Sequence, residues 1–600
     1  MTNALNAKTN EPTENYYLTT PIYYVNGVPH LGTAYTTIAA DTLARAKRMD
    51  GASTWFLTGL DEHGQKVAQA AEQAGTTPQE WVDSIAPKFK EAWTALGVEY
   101  NDFIRTTEPR HVQGVQRFFE KVRENGYIYE DVYEGWYCVH EETFFAEEDL
   151  DANEKQDAAT TEKQDPTATE KQENCFVCPD CKRPLKFIQE TNLFFKLSAF
   201  ENKLLAFYEE NPSFICPETR RNEVLSFVRS GLKDLSVSRT TFDWGVPITF
   251  APGHVSYVWF DALINYISAL GYGSDDAASQ ERFNKLWPAQ IHFIGKDIIR
   301  FHCVIWPAML MAAGLKPPHK VFAHGFLLTK GEKMSKSKGN AVSPLELAKI
   351  FGVSAYRYYF LSDVQFGADG SISLERMAQV YNADLANSWG NLCSRVFNMT
   401  HKYFDGEVPA LSEATIAQLA EEMGNPLAAA TEGLYSRYRS CLFDVDYSGA
   451  MAAVMELVAA ANLYLEQSAP WSIAKLAEAE EAERAEEAPK AEEPAPTNAA
   501  PATAAADAAS DTPTNAAPTQ RDRLAFVLYN NLEAIRIAAA LFAPVMPETS
   551  AEVWQRLSLG DVLATTNLAA VCQWGQLPAG NAVTIGEPLF PRLQAEDLVL

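Results

Sequence analysis

The sequence predicts an α/β chain: a doubly wound parallel sheet, interrupted by an inserted module and followed by an α-helical bundle. Three observations carry this. Asn15 to Tyr24 (NYYLTTPIYY) is aromatic and β-branched, as a strand should be, and runs into the turn Val25-Asn26-Gly27-Val28-Pro29. His30 then opens a run to Met49 in which Ala34, Ile38, Leu43 and Ala46 recur at roughly helical spacing. Strand, glycine-containing turn and helix build the nucleotide-binding corner of an open parallel sheet, with anions received at the helix N-terminus. From Leu374 onward strand signals largely stop, and long amphipathic patterns such as Ala450 to Leu465 and Arg521 to Ala543 dominate.

Within the front corner, His30 reads either as a cap on its turn or as a hydrogen-bond donor to a phosphate oxygen. Gly32, with no Cβ, lets a flat base lie against the backbone. A second apolar strand, Trp55-Phe56-Leu57-Thr58, runs into Leu60-Asp61-Glu62-His63-Gly64. That puts Asp61 at the sheet's carboxyl edge, where ligands tend to bind.

The inserted module carries Cys138 before a low-complexity run and Cys175, Cys178 and Cys181 after it. Cys178-Pro179-Asp180-Cys181 is half of a zinc ribbon, whereas the other half reads Cys138-Val139-His140-Glu141 in place of Cys-x-x-Cys. Either the fourth ligand comes from Cys175, His140 or Glu141, or the knuckle folds without metal. Between them, 151–174 repeats Glu-Lys-Gln every eight residues with almost nothing to bury, and is expected to be a disordered loop.

Three hundred residues beyond His30 stands Lys333-Met334-Ser335-Lys336-Ser337, then Lys338-Gly339-Asn340. Two lysines three apart on a loop read either as solvated surface or as paired point cations suited to a polyphosphate. Ser343 to Ile350 and Val353 to Leu361 follow as helices.

The pairing of His30-Leu31-Gly32-Thr33 with Lys333-Met334-Ser335-Lys336-Ser337 resembles the two signatures of class I aminoacyl-tRNA synthetases. The usual first signature ends in a second histidine, replaced here by Thr33. A hydroxyl can donate one hydrogen bond but carries no positive charge. TPIYYVNGVPHLG, FLTGLDEHGQK, YVWFDALINY, HFIGKDIIRFH, ADLANSWGNLCSR and GEPLFPR narrow the resemblance to the methionyl-tRNA synthetase family. It covers about Asn15 to Leu600. The isoleucyl, valyl and leucyl relatives carry a large editing insertion for which 600 residues leave little room.

The resemblance implies a Rossmann-type catalytic domain in two halves, 15–129 and 236–330, behind a disordered tail 1–14. A connective insertion spans 130–235. The lysine loop and stem-contact region occupies 331–380. An anticodon-binding helical domain with a C-terminal tail takes 381–475 and 521–600. Methionine activation by ATP and transfer to tRNA(Met) are the implied reaction, with Mg²⁺ accompanying ATP. His30 and Thr33 would stabilise the α-phosphoryl oxygens, with Gly32 and Asp297 near the nucleoside. Lys333 and Lys336 would hold the departing pyrophosphate, with Ser335 among the ATP-binding residues. Ile22, Tyr24, Trp259, Ala262, Tyr266, Ile298, Phe301 and His302 would surround the methionine side chain, and Asp61 its ammonium group. Taken without the resemblance, Trp259 reads as core. Asn391 and Arg395, four apart on one helix face, and Trp471 would read the anticodon, where composition alone suggests packing and capping.

Composition bounds the rest. Nine scattered cysteines do not make a secreted disulfide framework, and Met1 to Glu14 lacks the apolar core of a signal peptide. A cytoplasmic location with no membrane association is expected, and the resemblance implies a monomer, since the sequence stops at Leu600 where some relatives continue into a dimerising OB-fold. The net charge of −28 opposes a nucleic-acid partner; ten acidic and two basic residues in the Ala/Pro-rich linker 476–520 carry −8 of it, leaving −20. Binding to tRNA is therefore expected to be weak and salt-sensitive. Competing readings are a cysteinyl-type synthetase and a non-catalytic tRNA-binding paralogue. The first would need cysteine ligands near His30, where there are none, and the second is opposed by His30, Lys333 and Lys336.

Overall fold

The computed structural model describes residues 14–25, 27–138, 143–145, 150, 155–156, 175–179, 182–329, 332–333, 343–487, 517–560, 563, 567–594 and 596. The expected tail 1–14 (apart from Glu14), most of 151–174, the lysine motif beyond Lys333, and 488–516 of the linker lie outside that set.

One sheet organises the front of the chain. Its six strands, numbered along the chain within this sheet, are β1 (Asn15–Tyr24), β2 (Ser53–Asp61), β3 (Asp102–Arg105), β4 (Ile215–Cys216), β5 (Ile291–Gly295) and β6 (Val321–His324). They lie in the order β3-β2-β1-β5-β6-β4, and every pairing is parallel. The α/β expectation holds. The chain winds outward from β1 through β2 to β3, and later returns to β1's other side as β5. Between β1 and β5 the winding reverses, which opens a crevice at their carboxyl ends.

Tyr17, Leu18, Thr19 and Thr20 of β1 are fully buried, as a central parallel strand covered on both faces must be. Pro21 offers no N–H to a ladder, and the register with β2 shifts between Thr19 and Ile22. Helix α1 (Leu31–Met49) packs across the sheet and is buried almost all round, Asp41 and Arg45 included. Asp41 is paired with Arg45 at 2.8 Å and with Arg357 at 2.5 Å, so this interior charge is matched. Arg357 lies on the helix Val353–Ser362.

The inserted module is a four-stranded antiparallel sheet in the order Leu235–Ser236, Lys186–Phe195, Ile128–Cys138, Thr143–Phe145. A smaller parallel and antiparallel sheet joins Leu327–Thr329 to Gly370–Ile372 on one side and to Glu332–Lys333 on the other.

The chain divides into two compact units. One comprises the described part of Thr9–Met377 together with Val445–Ser448. The other, Ala378–Asp444 with Gly449–Glu596, is helical. Gln520–Phe542 is its central helix, and Pro470–Glu487 carries the charged Glu/Ala tip as a continued helix. Tyr447–Ser468 and Gln520–Phe542 are apolar and long enough to cross a bilayer by composition, but 94% of the latter's apolar window is buried in protein. Phe590 and Pro591 of the C-terminal tail pack against Tyr381 within the same helical unit.

Candidate active site

Four chain segments bring chemistry to the carboxyl edge of the sheet. The first is the turn after β1. His30 is the N-cap of α1, and its Nδ1 accepts hydrogen bonds from the backbone N–H of Gly32 at 3.1 Å and Thr33 at 3.4 Å. An accepting Nδ1 is unprotonated, so the neutral ring carries its proton on Nε2. His30 thus caps the turn with one nitrogen and keeps a donor on the other. A Cβ on Gly32 would stand 3.0 Å from His30 Cε1, so glycine is what lets the ring fold over the helix start. The Thr33 hydroxyl accepts from His30 N at 3.0 Å and donates to His30 O at 2.7 Å. The side chain that stands where a second histidine is usual therefore completes a capping box.

The second segment follows β2. Tyr24 and Asp61 are register partners at the ends of β1 and β2, and Asp61 is only 2% exposed. The third follows β5. Gly295 leads into the turn Lys296–Ile298, and a Cβ on Gly295 would meet Asp297 Oδ1 at 2.5 Å. Asp297 is exposed there, across the crevice from His30's strand.

The fourth segment leads to the lysine motif. His324, the last residue of β6, places Nε2 2.6 Å from Thr36 Oγ1 on α1. Its Nδ1 donates to Gly325 O, and burial lowers its pKa, so it is a neutral tether. Lys296 pairs with Asp369 at 2.7 Å, and Asp369 also accepts from Phe326 N at 2.8 Å. From His324 to Leu328 is about 13 Å of extended chain, and Leu328 pairs with the backbone of Lys333. The root of the hairpin is thereby pinned both to α1 and to the turn after β5. Ser335 and Lys336 lie outside the described residues.

An aromatic wall stands beside Asp61. Trp259 stacks on Phe301 at 3.9 Å and meets Tyr24 edge-on at 6.2 Å. Ile22, Tyr24, Trp259, Ile298 and Phe301 are half-buried and pack on the main core, whereas Ala262, Tyr266 and His302 are buried. His302 Nδ1 donates to Ile298 O at 3.0 Å, so its Nε2 accepts from the Tyr266 hydroxyl at 2.7 Å. Burial pushes the His302 pKa down to about 4, the Ile298 carbonyl pulling weakly the other way. The pocket therefore offers polarizable, uncharged surface, which suits a thioether. An open cavity of about 510 Å³ lined by Arg117, Lys121, Tyr272 and Phe283 shares none of these residues.

In the helical unit, Asn391 begins the helix Asn391–Phe404 and Arg395 follows one turn later. The Arg395 guanidinium lies 5.8 Å from the centroid of the Trp471 ring, which is 38% exposed. Glu466 holds Arg395 at 2.7 Å, a partner that sequence spacing did not reveal.

The sequence model of the family described as tRNA synthetases class I (M) matches residues 16–397. A methionine–tRNA ligase of Thermotoga maritima is 44% identical over 97% of this chain and 81% of its own length. One from Streptomyces coelicolor is 43% identical over 96% and 97%. The chain belongs to the methionyl-tRNA synthetases. The structure of the Mycobacterium tuberculosis methionyl-tRNA synthetase in complex with methionyl-adenylate superposes with a TM-score of 0.79. That pair is 38% identical, covering 97% of this chain and all of the other.

As a methionyl-tRNA synthetase, this chain keeps a knuckle whose cysteines are only partly described. Cys138 and Cys178 are buried in one small cluster with Trp136, Leu150, Phe176 and Leu185. Cys178 N donates to Arg183 O, and Lys182 N to Cys178 O. Cys181, His140, Glu141 and the Cys175 side chain lie outside the described residues. Among the described residues no three His, Cys, Asp or Glu side chains converge on a metal position.

Sequence reasoning missed the polar contacts that tie these segments together. His324 and Asp369 lie outside the quoted motifs' chemistry, and their partners are 288 and 73 residues away. His63 and Asp261 stand inside quoted motifs, yet their pairing joins residues 198 apart. No periodicity encodes such a pair.

Proposed function

We propose that this chain activates methionine with ATP and charges tRNA(Met), with the residues above in named roles. The reading is carried by one observation: His30, Asp61, Asp297 and the root of the lysine hairpin meet at the carboxyl edge of one parallel sheet, beside an uncharged aromatic pocket. Methionine's carboxylate oxygen attacks the α-phosphorus of ATP. A carboxyl–phosphate bond forms, the bond to the β-phosphate oxygen breaks, and pyrophosphate leaves. Positioning and electrostatic stabilisation supply most of the catalysis in such transfers. His30 Nε2–H donates to the α-phosphoryl oxygens, while Thr33 keeps the turn that aims it. Gly32 lets the base approach, and Asp297 meets the ribose. Lys333, Ser335 and Lys336 receive the pyrophosphate.

Asp61 binds the substrate ammonium group. The thioether lies among Ile22, Tyr24, Trp259, Ala262, Tyr266, Ile298, Phe301 and His302. Asn391 and Arg395 hydrogen-bond an unpaired anticodon base while Trp471 stacks on one. Mg²⁺ would travel with ATP's phosphates, as a hard cation that keeps most of its waters does. The knuckle either closes on a structural Zn²⁺ through Cys138, Cys178 and Cys181 with Cys175, His140 or Glu141, or folds without metal; metal analysis of the purified chain separates the two. The enzyme acts in the cytoplasm as a monomer, which light scattering checks.

The direct test is ATP–pyrophosphate exchange. Exchange with methionine but not cysteine supports the reading. Exchange with no amino acid leaves a non-catalytic tRNA-binding paralogue.

A further inference from the structure

Behind the aromatic pocket lies a chain of polar side chains that the reaction does not use. The Asp261 carboxylate is fully buried, and each of its oxygens meets a different imidazole. Oδ2 is 2.6 Å from His63 Nδ1, and Oδ1 is 2.7 Å from His111 Nε2. His111 Nδ1 continues to Ser268 Oγ at 2.8 Å. His63, His111 and Ser268 are at most 6% exposed. Burial alone would raise the Asp261 pKa, but the two imidazoles hold it down to about 2, so the node is an anion at working pH.

We propose that Asp261 is a positioning residue that sets the width of the methionine pocket, by locking the Asp61 loop to the two short helices that carry Trp259, Ala262 and Tyr266. This rests on the methionine-activation reading above. Each link has a structural address. His63 is two residues beyond Asp61 in the loop after β2. Asp261 lies on the helix Val258–Ala262, between Trp259 and Ala262. Ser268 ends the helix Asn265–Ser268, two residues beyond Tyr266. His111, on the helix Pro109–Glu124, is the brace between them. A carboxylate accepts from both imidazoles, whereas an amide of the same shape offers one oxygen and one N–H₂ group. In Asp261→Asn one imidazole faces the N–H₂ group and keeps that contact only by moving its ring proton to the other nitrogen. A charged hydrogen bond is exchanged for a neutral one, so one side of the lock weakens. The His30 turn and the Lys296–Ile298 turn make none of these contacts, so the defect falls on methionine and spares ATP.

The test compares full-length parent, Asp261→Asn and Ser268→Ala in exchange assays, with methionine binding by calorimetry alongside. Asp261→Asn is expected to raise the KM for methionine about tenfold, with kcat falling less and the KM for ATP within about twofold. Its preference for methionine over the S-ethyl analogue should narrow as the pocket loosens. Ser268→Ala removes the last link, together with a longer 3.4 Å bond from Ser268 Oγ to Asn265 O within its own helix, and should raise the methionine KM about two- to fivefold. If Asp261→Asn fails to fold, Ser268→Ala decides alone. Methionine KM values unchanged in the soluble variants, or rising in step with those for ATP, overturn the proposal. A parent that binds methionine but exchanges nothing sinks the activity reading, and calorimetry on the variants still decides the lock. A parent that binds no methionine overturns both.

Discussion

His30 caps α1 through Nδ1, and the proposed reading gives Nε2–H a second job at the α-phosphate; a substitution can divide the two. Asparagine is a good N-cap, so His30→Asn should keep α1 anchored, with thermal stability close to the parent's. It lacks the reach of Nε2–H, and exchange kcat should fall by about 10²- to 10³-fold. An equal loss of stability and rate would make the cap the whole of its role. Lys336→Ala should depress adenylate formation by a similar factor while methionine affinity, read by calorimetry, stays within about threefold. An unchanged rate would remove Lys336 from the mechanism. His302 gives a pH signature. Its folded pKa of about 4 lies below the unfolded value of 6.5, so the imidazole is neutral in both states above about pH 7.5. As pH falls through 6.5 toward 4 the unfolded chain takes up a proton that the folded state refuses. Stability should therefore drop by roughly 2 kcal/mol between pH 7.5 and 5, and His302→Gln should remove that part of the slope in urea melts.

At the scale of elements, the helical unit rests on a buried ion pair. Glu533 and Arg536 are both unexposed and 2.6 Å apart on the helix Gln520–Phe542. Glu533 also accepts from the N–H groups of Gln576 and Leu577, and Arg536 donates to the carbonyls of Val571 and Gln573. The pair thus pins a whole return segment. Arg536→Met strands an anion in the interior and should cost about 3–5 kcal/mol. Charging of tRNA should fail at temperatures where pyrophosphate exchange, housed in the other unit, persists; loss of both together would show that the units melt as one. Periodic elements such as β1, α1 and Gln520–Phe542 were legible in sequence because apolar spacing sets burial directly. His30, in the turn after β1, and Asp61, at the carboxyl end of β2, stood where the strand pattern marks the sheet's edge, whereas Asp297 was legible only through the family resemblance. What composition could not show is which buried polar groups meet. Asp261 with His111, or Thr36 with His324, are joined only by the winding of the sheet. The capping use of Thr33 was equally hidden, since a hydroxyl three residues after a histidine looks the same whether it faces substrate or backbone.

For the whole molecule, two features bear on tRNA. Gln520 N donates to Glu480 at 2.8 Å and Arg521 approaches Glu481 at 3.3 Å, so the helices on either side of 488–516 already lie side by side. From Glu480 to Glu487 is about 10 Å of helix, which a linker of about six to eight Gly/Ser residues can retrace. Replacing 488–516 with such a linker should leave exchange and charging within about twofold of the parent, as measured by initial rates. With a net charge of −28, attraction to tRNA has to come from locally basic surface, and the KM for tRNA should climb steeply with added KCl while that for methionine stays flat. The proposed activation step presupposes that one nucleotide is held from two ends of the catalytic unit. A co-crystal with methionine and a non-hydrolysable ATP analogue tests this most directly. His30 Nε2 and Lys336 Nζ should each lie within about 3.5 Å of phosphate oxygens on the same nucleotide. A nucleotide bound elsewhere, or one touched by His30 while Lys336 points into solvent, would contradict the account.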